Sequence, residues 1–315
     1  MKTKKQSPAK EYLTSLWHKF RQNGIVPGWI LVLTVIAALL ISWGIEELFK
    51  LGTSSLAYIT MVLMYGTSSW TIYVGLLEIV LGLLLSFLLA VGVYYILVTL
   101  QYQLQDTVIA PQKKITWKSV WQQFRRLNLN QQLRLSLYLT LFIFLWQVPF
   151  IVLEIIFSSH QIVEYILLVA SVIVLIYKEL DYSQAIFLYR EYQPKFLGQS
   201  LRYALTASRR FLDGSRKSLL KVVIFLILPV VIWDALWSMV LYFGFYFWEP
   251  IMIYGGPVIG VLGICFYLPV VMLVLADFYE TARTKEVVEL AFRKLFKPQK
   301  HLTGEDYPVR SPQKR

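Results

Sequence analysis

Six stretches of this chain, 15 to 30 residues long, carry almost no charge: 25–45, 71–100, 135–157, 163–177, 219–245 and 256–278. A helix rising 1.5 Å per residue crosses a hydrocarbon core of about 30 Å in about twenty residues. Nothing in that core can hydrogen-bond an exposed backbone, so a spanning segment must satisfy its own amides, as a helix does. The expected fold is therefore all-α: a polytopic membrane protein with six transmembrane helices. Composition agrees, at 57% hydrophobic residues and a mean hydropathy of +0.56. Pro149, Pro229, Pro257 and Pro269 fall within the runs and predict kinks.

Positive charge supplies the orientation independently. Residues 1–24 hold six Lys or Arg, residues 101–134 six, residues 178–218 eight, and the tail after 278 nine, with Lys221 just inside the fifth run. The alternate connections hold only Lys50, so 30 of the 31 basic residues share one side. Cytoplasmic loops carry this excess, which places both termini in the cytoplasm and makes the protein a multi-pass component of a plasma membrane. The segment before the first run is too long and polar for a secretory leader and no small-residue cleavage site follows the run, so it is expected to be retained. Three regions result: a basic amphipathic segment 1–24, a six-helix transmembrane domain 25–280, and a basic amphipathic tail 281–315.

A net charge of +12 raises nucleic acid as a partner. The basic residues flank apolar runs instead of forming a separate basic domain, so anionic lipid headgroups are the expected counter-charge and nucleic acid is not. Four cytoplasmic segments interleave cations with large apolar residues. Tyr12, Leu13, Leu16, Trp17 and Phe20 precede the first run, and Ile115, Val120, Trp121 and Phe124 precede the third. Leu201, Ala204-Leu205 and Ala207-Ser208 precede the fifth, while Val287-Val288, Ala291-Phe292 and Phe296 lie in the tail. This pattern predicts helices lying in the headgroup region, apolar face toward lipid. The densest cluster is Arg209, Arg210, Ser215, Arg216 and Lys217, where forked guanidinium groups beside hydroxyls suit phosphate. Gly214 between them is expected to break the helix.

Polar side chains at membrane depth form a second set of candidates, because charge inside a bilayer is costly. Glu78 lies near the external end of the second run, and Gln147 and Glu154 bracket Pro149 in the third. Asp234 lies mid-way along the fifth run, with no intramembrane Lys or Arg at matching depth. Asp277, Lys178, Glu179 and Asp181 sit at run ends, where anchoring suffices to explain them.

The chemistry of catalysis is sparse. His18, His160 and His301 are scattered, and none has a second ligand at helical spacing, so no metal site is expected. There is no phosphate-binding glycine loop, dinucleotide fingerprint or nucleophile elbow, and no cofactor is implied. The lone Cys265 excludes an internal disulfide and reads as a small apolar residue. The chain is not expected to be an enzyme.

Several short stretches carry a resemblance: Trp17…Phe20-Arg21-Gln22-Asn23, Leu51-Gly52-Thr53-Ser54-Ser55 and Gln147-Val148-Pro149-Phe150. The fullest is Leu201…Ala204-Leu205…Ser208…Phe211-Leu212-Asp213-Gly214. Together, over most of residues 10–290, they resemble the membrane domain that precedes the catalytic barrel in Gram-positive glycerophosphodiester phosphodiesterases, and a related group of bacterial integral membrane proteins. In that family the barrel follows the sixth span. Here 35 residues with one histidine follow residue 280, so the resemblance implies a bacterial membrane module without the hydrolase and carries over no catalytic residue. The expected function is engagement of anionic lipid or glycerophosphate-type headgroups, or of a separately encoded enzyme or membrane partner. The alternative is a transporter or channel that uses Asp234 with Glu78 or Glu154.

Overall fold

The computed structural model describes residues 21, 23–63, 70–157, 161–196 and 199–296. The amphipathic segment around Tyr12–Phe20, the tail beyond Phe296, and His18, His160 and His301 lie outside them. Among the described residues the chain is all helical. The long helices are α1 (Ile25–Leu63), α2 (Trp70–Ile109), α4 (Leu129–Ile156), α5 (Gln161–Tyr182), α8 (Arg216–Phe247) and α9 (Gly256–Ala282). Shorter helices are α3 (Trp117–Arg126), α6 (Ala185–Tyr192), α7 (Arg202–Phe211) and α10 (Lys285–Phe292).

Five helical stretches are long and apolar enough to cross a membrane: Ile25–Ser54, Tyr73–Ile109, Leu129–Ile156, Arg216–Phe247 and Ile251–Ala282. The fourth expected span falls on α5, which is outside that set; its 22 residues include Glu164, Lys178 and Glu179. The spanning-type helices expose large apolar side chains such as Leu77 (66%) and Ile155 (70%), as expected where the surrounding solvent is lipid. The connection expected over 46–70 is different in the structure. α1 continues as helix to Leu63: no proline interrupts 46–63, and the hydroxyls of Thr53 and Ser54 donate back to helix carbonyls at Phe49, Lys50 and Leu51 instead of breaking it.

The chain divides into two compact units, 1–127 with 230–274, and 128–229 with 275–315. In the first, α1 and α2 pair as a long hairpin whose contacts are set by glycines. A Cβ at Gly52 would meet the backbone oxygen of Gly75 and the side chains of Ile79 and Glu78, and one at Gly82 would press on the ring of Phe49. Polar bonds tie the ends down. Asn23 Oδ1 accepts from the backbone N–H of Ile115 at 3.2 Å, Gln103 donates to the Ser119 carbonyl at 3.1 Å, and Gln101 to that of Met272 at 3.2 Å. Trp29 packs edge-on against Phe266. Trp233 donates its indole N–H to the Gly260 carbonyl at 3.0 Å, drawing α8 against α9.

In the second unit α7 is the central element, packed against α4, α5, α6 and α10. Leu201, Ala204, Leu205, Ala207, Ser208, Phe211 and Leu212 are all buried to 2% exposure or less. This corrects the expectation that this face lies on lipid. The amphipathic pattern is real, but protein covers it, since Phe187 and Tyr279 stack at 5.0 Å and Phe211 closes on the same Tyr279 ring at 5.3 Å. The apolar face of α10 is likewise buried at Val288, Ala291 and Phe292, with Phe292 against Tyr192 and Phe196. On α3, Val120 is buried while Trp117 and Trp121 remain 52% and 60% exposed, so α3 keeps an outward aromatic surface.

Candidate functional site

The basic cluster before the fifth run is built around one carboxylate that its own spacing does not single out. Asp181, in the last turn of α5, is 1% exposed. Its Oδ1 lies 3.0 Å from Arg216 Nε, and its Oδ2 3.9 Å from Lys178 Nζ. The Arg216 contact is off the line of the N–H and Asp181 accepts no hydrogen bond on either oxygen, so the interaction is an ion pair of charge against charge. Arg216 spends its remaining donors locally, on the Tyr177 hydroxyl at 2.8 Å, the Arg209 carbonyl at 3.4 Å and Asp213 at 3.3 Å. Lys178 lies over the Trp146 ring, 3.8 Å from its centroid, which holds a buried ammonium by cation–π attraction as well as by charge.

The backbone beneath this cluster is held by Ser208. Its hydroxyl donates to the Asp181 carbonyl at 2.7 Å and accepts from the Gln184 N–H at 3.2 Å, and all three residues are buried. Two buried backbone groups at the α5–α6 junction therefore depend on one side chain of α7. Ser208→Ala leaves both without that partner and is expected to cost about 2 kcal/mol, read as a lower thermal midpoint in detergent; an unchanged midpoint would count against the role. Nearby, burial pushes the Tyr189 phenol up to about 12, so it stays neutral in the core of the unit.

The five cluster residues chosen from sequence therefore have unequal roles. Arg216 is consumed by Asp181, Asp213 and Tyr177 and stands 28% exposed; it positions the turn. Ser215 is half-buried and its hydroxyl donates to the Leu212 carbonyl at 3.4 Å, which closes the turn instead of facing a ligand. Gly214, at φ +88°, supplies the left-handed residue that this turn requires, as expected. Arg209, Arg210 and Lys217 remain exposed. Arg210 donates to the Arg293 carbonyl at 2.8 Å, and no acidic side chain pairs with these three among the described residues. Arg209 and Arg210 also sit in the last turn of α7, where the helix end favours cations.

The intramembrane candidates differ in their surroundings. Gln147 is engaged across to α5: Ser171 donates to its Oε1 at 2.6 Å and it donates back to the Ser171 carbonyl at 3.4 Å, a helix-to-helix fastening. Glu78 is half-buried beside Gly52, and Glu154 is exposed near the end of α4. Asp234 is exposed and has no hydrogen bond or ion pair among the described residues. An open groove of about 370 Å³ between α1 and α2 is lined by Thr34, Ala37, Ala38, Leu88, Gly92, Val93 and their apolar neighbours, and does not include Asp234. Sequence reading passed over Trp146, Tyr177 and Ser208 as participants. The available signal was the Lys178–Asp181 spacing of three, one turn apart at the end of a run.

No group of three or more His, Cys, Asp or Glu among the described residues could hold a metal ion. Comparisons with protein-family models, with curated proteins and with solved structures found no match for this chain.

Proposed function

We propose that this chain is a non-enzymatic integral membrane module that engages anionic phospholipid or glycerophosphate-type headgroups at the cytoplasmic face of a bacterial plasma membrane. The observation that supports it is the division of labour at the α7–α8 turn. Asp181 takes up Arg216 and Lys178, so the turn is rigidly tied to α5. Arg209, Arg210 and Lys217 are left exposed within nine residues of one another. A preorganised set of unpaired cations beside the end of a spanning-type helix is what a phosphate group at the headgroup level would meet. On this reading the described residues are a counterpart of the phosphodiesterase membrane domain. The resembling motif then serves packing: Leu201, Ala204, Leu205, Ser208, Phe211 and Leu212 are its buried positions.

The test is binding of a fluorescent short-chain phosphatidylglycerol to the detergent-purified chain, with the phosphatidylcholine analogue as control. Changing Arg209, Arg210 and Lys217 to Gln should weaken binding of the anionic lipid by up to about 3 kcal/mol, near a hundredfold. The same treatment of exposed Lys285, Arg293 and Lys294 should cost much less. Equal losses at both places would reduce the cluster to general anchoring.

A further inference from the structure

Asp234 has a position that the headgroup reading does not use. Lys221 and Phe247 are each thirteen positions from it along α8, about 20 Å in either direction at 1.5 Å per residue. Lys221 is a basic residue at one end of the helix, and Tyr246, Phe247 and Trp248 are an exposed aromatic group at the other, the usual markers of the two interfaces. Asp234 thus falls at the middle of the hydrocarbon layer, where a carboxylate is costly. It is nevertheless on the outside of the molecule, in line with exposed Ile227, Val231, Ser238 and Phe245 at alternating spacings of three, four and seven. That spacing makes one continuous stripe of a helix that can seat another helix, with a carboxylate and a hydroxyl one turn apart at its centre.

We infer that this stripe is the docking face for a transmembrane helix of a different membrane protein, one carrying Lys or Arg at mid-membrane depth. Charge complementarity selects that occupant. A second copy of this chain fits poorly, because a two-fold pairing along this face sets Asp234 against Asp234. Among the described residues of α8 the basic side chains are Arg216, Lys217 and Lys221, all at one end. Lys178 is committed to Asp181 and Trp146, and Lys50 to Glu46 and Glu47, so this chain brings no mid-span cation of its own. A basic partner removes the unpaired carboxylate from lipid and finds Ser238 as a second acceptor. The inference is independent of lipid binding at the α7–α8 turn.

The experiment co-reconstitutes the full chain, carrying a donor fluorophore at its C-terminus, with acceptor-labelled single-span Leu/Ala peptides in phosphatidylcholine vesicles. The peptide with Lys at its centre should associate about tenfold more tightly than the one with Leu there. Moving that Lys seven positions, about 10 Å, should remove the preference. So should Asp234→Leu, and Asp234→Asn should remove most of it while keeping the side chain's shape. In the double variant that carries Asp234→Leu and Leu236→Asp, the carboxylate is at the same depth on another face, and the preference should not return. Equal association of the Lys and Leu peptides with the wild-type chain would overturn the inference. So would a preference that returns in the double variant, or donor- and acceptor-labelled copies of the chain that associate with each other through Asp234.

Discussion

Asp181→Ala should lower stability by about 3 kcal/mol, the largest loss expected from any single change in the α4–α7 unit. The carboxylate is 1% exposed and compensates two cations, Arg216 at 3.0 Å and Lys178 at 3.9 Å. Removing it leaves the buried Lys178 ammonium without a carboxylate and the largely buried Arg216 guanidinium with only the exposed Asp213. The loss is therefore the cost of stranded charge more than the worth of the original pair. A thermal midpoint in detergent should fall by roughly 10 °C. The double change Asp181→Leu with Arg216→Met should recover much of it, since two apolar side chains leave only Lys178 to be held by Trp146 and Tyr177. If the single change costs under 1 kcal/mol, or the double change is worse than the single, the cluster does not hold α8 to α5. The same variants bear on function, because a turn released from Asp181 would no longer hold Arg209, Arg210 and Lys217 together.

Gly263→Val should be the most damaging change in the other unit, costing about 3 kcal/mol or more, with Gly263→Ala in the range of 1–3 kcal/mol. A Cβ on Gly263 would land on the indole ring of Trp233. The ring cannot simply swing away: its N–H is bonded to the Gly260 carbonyl at 3.0 Å, and it packs against Trp237 at 5.5 Å. The helices would have to separate, losing that hydrogen bond in a setting without water to replace it. Gly92 supplies the control. A Cβ there meets nothing within 4 Å, so Gly92→Ala should be neutral or stabilise by about 0.5 kcal/mol. Parallel thermal melts of the two alanine variants decide the matter. Equal effects would mean that chain flexibility, not the approach of α9 to Trp233, explains the glycine.

Much of this molecule can be read from its residues in order. Apolar runs of membrane length are a local property, set by the cost of placing polar groups in hydrocarbon, and the five helices found long and apolar enough to span follow from them. The amphipathic character of α3, α7 and α10 was equally visible, as was the break at Gly214. What covers an amphipathic face was not. Periodicity shows that Leu201, Ala204, Leu205 and Ser208 share a side, and lipid and protein are equally good solvents for such a side. Only the packing of Phe187, Phe211 and Tyr279 shows that protein covers it.

The candidate sites divide in the same way. Basic residues gather before the fifth run in the linear chain, and Arg209, Arg210 and Lys217 keep the exposed positions that this placement suggests. Arg216, chemically the same as its neighbours, is turned inward by a carboxylate 35 positions earlier. Gln147 looked like a polar residue awaiting a function and proved to be fastened to Ser171. Asp234 is the reverse, suspected from depth alone and found exposed. The sequence by itself determined that this is a helical membrane protein with an uneven distribution of charge, because hydropathy and charge act residue by residue. Which cations are spent on the fold and which remain to meet something else was decided only by the tertiary structure, since a buried ion pair depends on distances that no spacing along the chain encodes.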